Sequence, residues 1–511
     1  MESYISLADR RSSEAIFESL NKDLAGSQVS NLQARQKLVA ALVSDLSNEE
    51  VYTHWDQKAL LLVLQGLKML CREVDAAKSL YTSEGIRALM RHSELLPTTS
   101  GDDSVTVQES LRCLANCLLL DASTRRIFYN EGGVGFVASK ILSSSLSMDS
   151  EFLFGRILFL ATVSSPEAVS TLADNAEFLS KIDSIICKCI SPPSAVSSSV
   201  FSSAMIISEY LKMLFNMITN FVSCTDTKNP EDDDQASKQE LSAKYSSLIP
   251  TLIRVVTEIP YDNSAPVSPP HSHVIHVLLN ISITGLEPLW FSQDSQEPYI
   301  LVTTLIEMLK GVLSNCFAED THSSDDLTSL DSFLPPFLIL MSNLARENSH
   351  ACSLMKESLL PENIDRSKPL GKGQSVSDYL ISLLTAGAVN RTKDTAGEFI
   401  YILCDQDASK FVDQVGYGNA IGFLTNRGIP FSHPTSHSQG ENGSSVNPVT
   451  GQYVDKEAPD LSTMTDEEKE QEAERLFVLF ERLNKTGVIK VKNPIVEAMQ
   501  SGKIHEIDDE N

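Results

Sequence analysis

Positive charge is scarce in this chain. Its 511 residues include 41 lysines and arginines against 68 aspartates and glutamates, a net charge of −27 with a sequence pI near 4.7. Nucleic-acid binding needs clustered Lys and Arg to neutralise phosphates, and docking on an anionic membrane needs the same, so neither partner is expected. Tryptophan is nearly absent: Trp55 and Trp290 are the only two, too few for a binding surface built on repeated tryptophans. No uninterrupted apolar run reaches the ~18 residues of a membrane span. The opening "MESYISLADRRSSEAIFESL" lacks the basic and apolar segments of a signal peptide. Nine cysteines lie scattered in apolar stretches such as "LRCLANCLLL". Cys187 and Cys189 form one C-x-C without a second pair, against a zinc site, and reduced thiols in a cytoplasmic protein are expected.

Signatures of covalent chemistry are missing as well. There is no P-loop, nucleophile elbow or HExxH. "LGKGQS" at Leu370 contains G-K without the P-loop spacing and reads as a loop. His273 and His276 of "HSHVIH" could share a helix face, but no carboxylate or cysteine at ligand spacing completes a metal site there. No cofactor, metal or catalytic residue is expected.

What is present is helical periodicity. Apolar residues recur at i, i+3, i+4 and i+7 through most of the first 430 residues, and clean alternation is almost absent. Five segments share one shape: "LQGLKMLCRE" at Leu64, "ESLRCLANCLL" at Glu109, "EYLKMLFNMIT" at Glu209, "HVIHVLLNISI" at His273 and "PFLILMSNLARE" at Pro336. "FLFGRILFLAT" at Phe152 and "EFIYILCDQD" at Glu398 are looser versions. Polar or proline-rich inserts at Ser191, Cys224, Glu258 and Ala318 read as loops between helices. The step from Cys71 to Asn116 is 45 residues and from Asn280 to Asn343 is 63. These bracket the ~40–47-residue period of armadillo and HEAT repeats, the longer step holding an insert. Residues 1–430 are thus expected to form an all-α, armadillo/HEAT-like, right-handed superhelical solenoid, each unit burying its apolar face against its neighbours. In "VDQVGYGNAIGFLTNRGIP", Gly416, Gly418 and Gly422 then mark a helix end, a tight turn and a short capping helix; a dinucleotide fingerprint would need a preceding strand.

Asparagine is a poor helix-interior residue, because its side chain competes with the backbone. Yet Asn116, Asn216, Asn280 and Asn343 recur at one point of their repeats. Taken singly, each could tie its own helix to the next. As a set they suit a ladder of hydrogen bonds to a bound peptide. Lys68, Arg72, Arg112, Arg156, Lys212 and Arg346 stand beside the same positions, and a basic line would suit a carboxylate-bearing peptide; singly, each reads as an exposed helix charge.

Residues 431–463 have no apolar period and many turn formers, and read as a flexible linker. An amphipathic helix is expected over 464–487. Thr465 and Glu468 make a capping box, acidic residues fill the first turn, and Leu476, Phe477, Phe480 and Leu483 form an apolar stripe. Residues 488–511 are an acidic tail. The helix is suited to dock back on the solenoid or to grip a partner.

"VGYGNAIGFLTNRGI", followed by "NPVTGQYVDKEAPDLSTMTDEEKEQEAERLFVLFERL", resembles the synembryn family, also called resistance to inhibitors of cholinesterase. "LKMLCRE", "LRCLANCLL", "GRILFLAT", "LKMLFNMIT" and "HVIHVLLNIS" extend the resemblance more weakly through the repeats. It implies a solenoid acting on α subunits of heterotrimeric G proteins, as a non-receptor nucleotide exchange factor and a folding chaperone. It further implies that the concave face takes the C-terminal helix of Gα and that the helix after the linker contacts the GTPase domain. Residue by residue, it places Lys68 and Arg72, Asn116, Arg156 and Arg346 at the family's groove positions. A monomer in the cytoplasm, recruitable to the cell cortex, is expected. One feature departs from animal members, which carry serines and threonines embedded in acid after the glycine turn. Here that stretch is "FSHPTSHSQGENGSS", with little acid.

A second reading is an armadillo-type adaptor that binds a peptide without touching nucleotide. Import receptors of that class use tryptophan-asparagine ladders, and neither tryptophan here stands beside a ladder asparagine. An adaptor also has no need of the helix at 464–487.

Overall fold

Helix is the only regular structure among the described residues. The computed structural model describes residues 2–431, apart from 26–30, 97–102, 144, 192–198, 225–232, 292–296, 318–323 and 388, together with Gln452 and Thr465. Two units divide the chain, Met1–Asp365 with Leu370–Ser432 and Arg366–Pro369 with His433–Asn511. In the second, the Gln452 side chain donates to the carbonyl of Ser367 at 3.1 Å.

In the first unit eight helices stack into one row: α1 (Ser13–Ala25), α2 (Gln57–Leu70), α3 (Val105–Leu120), α4 (Met148–Thr162), α5 (Ser203–Cys224), α6 (His271–Leu279), α7 (Ser324–Glu347) and α8 (Asn390–Leu403). Each packs on the next in order. A second row lies behind it, running through Leu32–Ser47, Ser83–His92, Ala122–Asn130, Gly133–Ser143, Ala176–Ile190, Ile249–Glu258, Ile300–Phe317 and Ser349–Leu359. This is an all-α solenoid. The seven segments read as repeats are α2 to α8 in sequence.

The local chemistry is visible in α3. Ser104 caps its N-terminus by accepting from the Val107 amide. Leu111, Leu114 and Leu118 then fall at i, i+3 and i+7 and are fully buried between the rows, each worth about 1.5–3 kcal/mol. Asp121 ends α3 and caps the next helix by accepting from Ser123 N. Gly155, inside α4, is costly by propensity but permits close approach to α5: a Cβ there would lie 3.2 Å from the Tyr210 ring. Ile300–Phe317 is apolar and long enough to cross a membrane by composition, but Leu301, Leu305, Leu309 and Leu313 are buried within the second row.

Helix Ala408–Val415 stops at Gly416, whose φ of 82° lies in the left-handed region that favours glycine. Helix Tyr417–Asn426 follows at once and includes Gly418 and Gly422. Asn419 bonds back to the carbonyls of Leu370 and Val415, so the tyrosine-glycine-asparagine turn is a structural joint. Two expected loops are partly helical: Asp233–Tyr245 begins inside the insert at Cys224, and α7 begins inside the insert at Ala318. α7 also continues through Pro335 and Pro336, because Leu330, Leu334, Phe337 and Leu338 are all buried and tertiary packing overrides the break.

Candidate functional site

The residues singled out in the repeats all lie on the eight-helix row or at the end of one of its helices, and all are half-buried or exposed. Lys68 lies on α2 with Arg72 just past its end, Asn116 on α3, Arg156 on α4, Asn216 on α5, Asn280 at the end of α6, and Asn343 and Arg346 on α7. Their contacts gather them into local groups: Lys68 with Arg112, Arg156 with Lys212 and Asn216, and Asn280 with Asn343 and Arg346. Met69, Leu119 and Ile339 are exposed apolar residues on the same helices, and Phe159 and Phe215 are half-buried. Neither tryptophan contributes: Trp290 is buried in the core and Trp55 donates its indole N–H to the carbonyl of Arg10 at 2.8 Å.

The asparagines differ in what they already hold. The Asn116 carboxamide has no hydrogen-bond partner among the described residues. Asn216 Nδ2 donates to the carbonyl of Phe159 and to Thr162 Oγ1, both at 3.1 Å, which ties α5 to α4. Asn280 Nδ2 donates to the carbonyl of His276 at 2.7 Å. Asn343 Oδ1 accepts from Arg346 Nη1 at 3.5 Å. Each of the four keeps at least one amide atom without a hydrogen-bond partner among the described residues. Buried polar groups normally find partners, so half-buried open amides are ready to bond a backbone laid over them.

Five of the six expected basic residues are ion-paired. Lys68 and Arg112 both close on Glu109, Arg112 Nη1 standing 3.3 Å from Oε2. Arg156 Nη1 at 3.2 Å and Lys212 Nζ at 2.6 Å both meet Oε1 of Glu209. The glutamate side chains are 5% and 6% exposed, whereas the four cations are 21–33% exposed. Arg346 pairs with Glu398 of α8, which also holds Arg427 at 3.2 Å. Arg72 alone of the expected basic residues is without an ion pair among the described residues, and it is exposed. The two glutamates were not among the expected site residues. Their signal was in the sequence: "ESLRCLAN" and "EYLKMLFN" both place Glu, Arg or Lys, and Asn at i, i+3 and i+7.

α6 has nine residues, while α5 has 22 and α7 has 24. The row is therefore incomplete beyond Asn280, and a cavity of about 390 Å³ opens there. Its floor is apolar, with Ile218, Leu279 and Ile281, and Asn280, Asn343 and Arg346 stand around it. Of the four asparagines, the structure brings only Asn280 and Asn343 to one cavity.

His273 lies on α6. Burial, with Lys212 and His276 nearby, pushes it down to about 4 from the usual 6.5, so the ring is neutral in the fold at neutral pH. The unfolded chain takes up this proton first as pH falls. The stability contributed by the neutral ring is thus present above about 6.5 and lost on descent toward about 4. His273→Gln is expected to flatten the pH dependence of the unfolding midpoint across that window; an unchanged slope would assign it to other groups. Among the described residues no three His, Cys, Asp or Glu side chains converge on a metal-holding position. Leu476, Phe477, Phe480 and Leu483, with the expected linker, helix and tail, lie outside the described residues save for Phe431, Gln452 and Thr465.

Comparison with known proteins gives a coherent set of relatives. A family model described as guanine nucleotide exchange factor synembryn matches residues 63–503. The chain is 28% identical over 472 residues to a synembryn-like chaperone of Schizosaccharomyces pombe, covering 86% of this chain and 82% of that one. It is 24% identical to the chaperone Ric-8A of Macaca fascicularis, over 89% of this chain and 86% of the relative. The Ric-8A chaperone of Gallus gallus is also 24% identical, over 90% and 86% respectively.

Proposed function

Because the chain belongs to the synembryn family of guanine nucleotide exchange factors, we propose that it is a non-receptor exchange factor and folding chaperone for G protein α subunits. In this reading the C-terminal helix of Gα lies along the open face of the row, and the segment 464–487 contacts the GTPase domain. The observation that carries it is a recurrence: half-buried carboxamides, partly open cations and exposed apolar side chains on six consecutive row helices, α2 to α7. That pattern suits a segment with both backbone and apolar side chains to offer.

Exchange of this kind needs no covalent step. A partner that prefers the nucleotide-free state weakens GDP binding by the difference in its affinity for the two states. A hundredfold faster release requires about 2.7 kcal/mol of that preference. Drawing a helix out of the GTPase core onto this row would supply it. A chaperone role follows from the same contact, since a face that holds the helix apart also holds an unfinished α subunit. A monomer acting in the cytoplasm, with recruitment to the cell cortex, belongs to the same reading.

GDP release from a purified Gα, with and without the protein, tests the proposal. Release is expected to accelerate at least tenfold with the full chain. A version ending at Gly451 is expected to lose most of that gain while still binding the isolated Gα C-terminal helix. Tight binding with no acceleration of any Gα would remove the exchange activity and leave a chaperone or peptide-binding scaffold.

A further inference from the structure

The same three-residue stripe occurs twice on the row, in α3 and in α5. Glu109, Arg112 and Asn116, and then Glu209, Lys212 and Asn216, stand at i, i+3 and i+7 of their helices, which places them on one face. Each glutamate also reaches back to a cation of the preceding row helix, Lys68 on α2 or Arg156 on α4. Both glutamates are more than nine-tenths buried, and all four cations remain partly open. Two cations around one carboxylate leave one positive charge uncompensated at each place. The Asn116 carboxamide, one turn beyond the first, has no described partner, and Asn216 Oδ1, one turn beyond the second, stays open.

We propose that Glu109 and Glu209 are positioning residues of two equivalent anion stations, and that this surface takes an elongated peptide whose two carboxylates match their separation. A free lysine or arginine side chain samples many rotamers, and holding it against a buried carboxylate removes that freedom before a partner arrives. Because each glutamate neutralises only one of its two cations, the station keeps attraction for a second carboxylate. The stations are two helices apart. At interaxial distances of roughly 8–10 Å they are separated by roughly 16–20 Å. On a helix crossing the row that is roughly 11–13 residues, so carboxylates at i and i+11 would share one face after three turns. Between the stations α4 presents Phe159, with the Lys212 ammonium 4.6 Å from its ring centre, so the intervening position on the peptide should be apolar.

The inference rests on the preceding reading for its occupant, the C-terminal helix of Gα. The probe is that peptide, fluorescently labelled, with each of its carboxylates replaced in turn by the amide. Affinities are measured for the wild-type protein and for Arg112→Ala and Lys212→Ala. One peptide carboxylate is expected to couple to Arg112 and a different one, about three turns away, to Lys212, each by about tenfold in affinity. Glu109→Gln is expected to weaken the Arg112 coupling and spare that of Lys212, which a purely structural role for Glu109 would not do. Glu209→Gln should do the converse. If the wild-type protein fails to bind the peptide, the functional reading falls and the inference with it. Binding without such coupling, or one glutamine change lowering both couplings alike, would overturn the inference alone.

Discussion

Glu209→Ala is expected to lower the unfolding free energy by about 3 kcal/mol, near the low end of the range for breaking a buried ion pair by removing one partner. The carboxylate is 6% exposed and lies between Arg156 of α4 and Lys212 of α5. Its removal leaves two like charges facing each other across a helix interface. Their own exposures, 30% and 21%, let water recover part of the loss, which keeps the cost from the upper end. In a solenoid each helix is stabilised chiefly by its neighbours, so the damage concentrates where α4 meets α5. Against a total of about 5–15 kcal/mol this is a large fraction. The exposed pair of Asp405 and Lys410 provides the contrast, because water takes over from the lost partner and Lys410→Ala should leave the unfolding midpoint almost unchanged. Urea unfolding of both variants checks the contrast. A Glu209→Ala cost below that of the exposed pair would mean that the cations rehydrate freely and that the buried glutamate is not what holds α4 to α5.

Arg72→Glu combined with Arg346→Glu is expected to weaken binding of a Gα C-terminal peptide by about a hundredfold or more, roughly tenfold for each reversal. The two sites fail for different reasons. Arg72 is exposed and without an ion-pair partner among the described residues, so its reversal replaces an available attraction by a repulsion. Arg346 already shares Glu398 with Arg427, so its reversal sets a second carboxylate beside Glu398 and turns the local field against a peptide carboxylate, while Arg427 keeps its pairing. Because Arg72 and Arg346 are exposed, circular dichroism of the double variant should match the wild type, which separates lost binding from lost folding. Titration by fluorescence polarisation reads the affinity. Unchanged binding would exclude this face as the peptide site. Loss from Arg72→Glu alone would place the peptide at the α2–α3 end of the row.

The sequence by itself determined that the chain is helical and repetitive, and which segments are equivalent. Buried positions at i, i+3 and i+7 recur because every unit must cover one apolar face, and that requirement writes the same pattern into segments far apart in the chain. Hence α2 to α8 were all recognisable, and so was the turn at Gly416, where a positive φ demands glycine. The asparagines and cations at equivalent positions followed from the same logic. The tertiary structure alone decided what those cations do. Whether Lys68 or Arg156 faces solvent or a carboxylate depends on a glutamate 41 or 53 residues away, and no local pattern fixes how one helix seats on the next. The same holds for the asparagines, since Asn216 is tied to α4 while Asn116 has no partner among the described residues, although both occupy one repeat position. The cavity beside Asn280 has a similar origin. It exists because α6 stops after nine residues between two helices more than twice its length, and a gap is a property of three helices together.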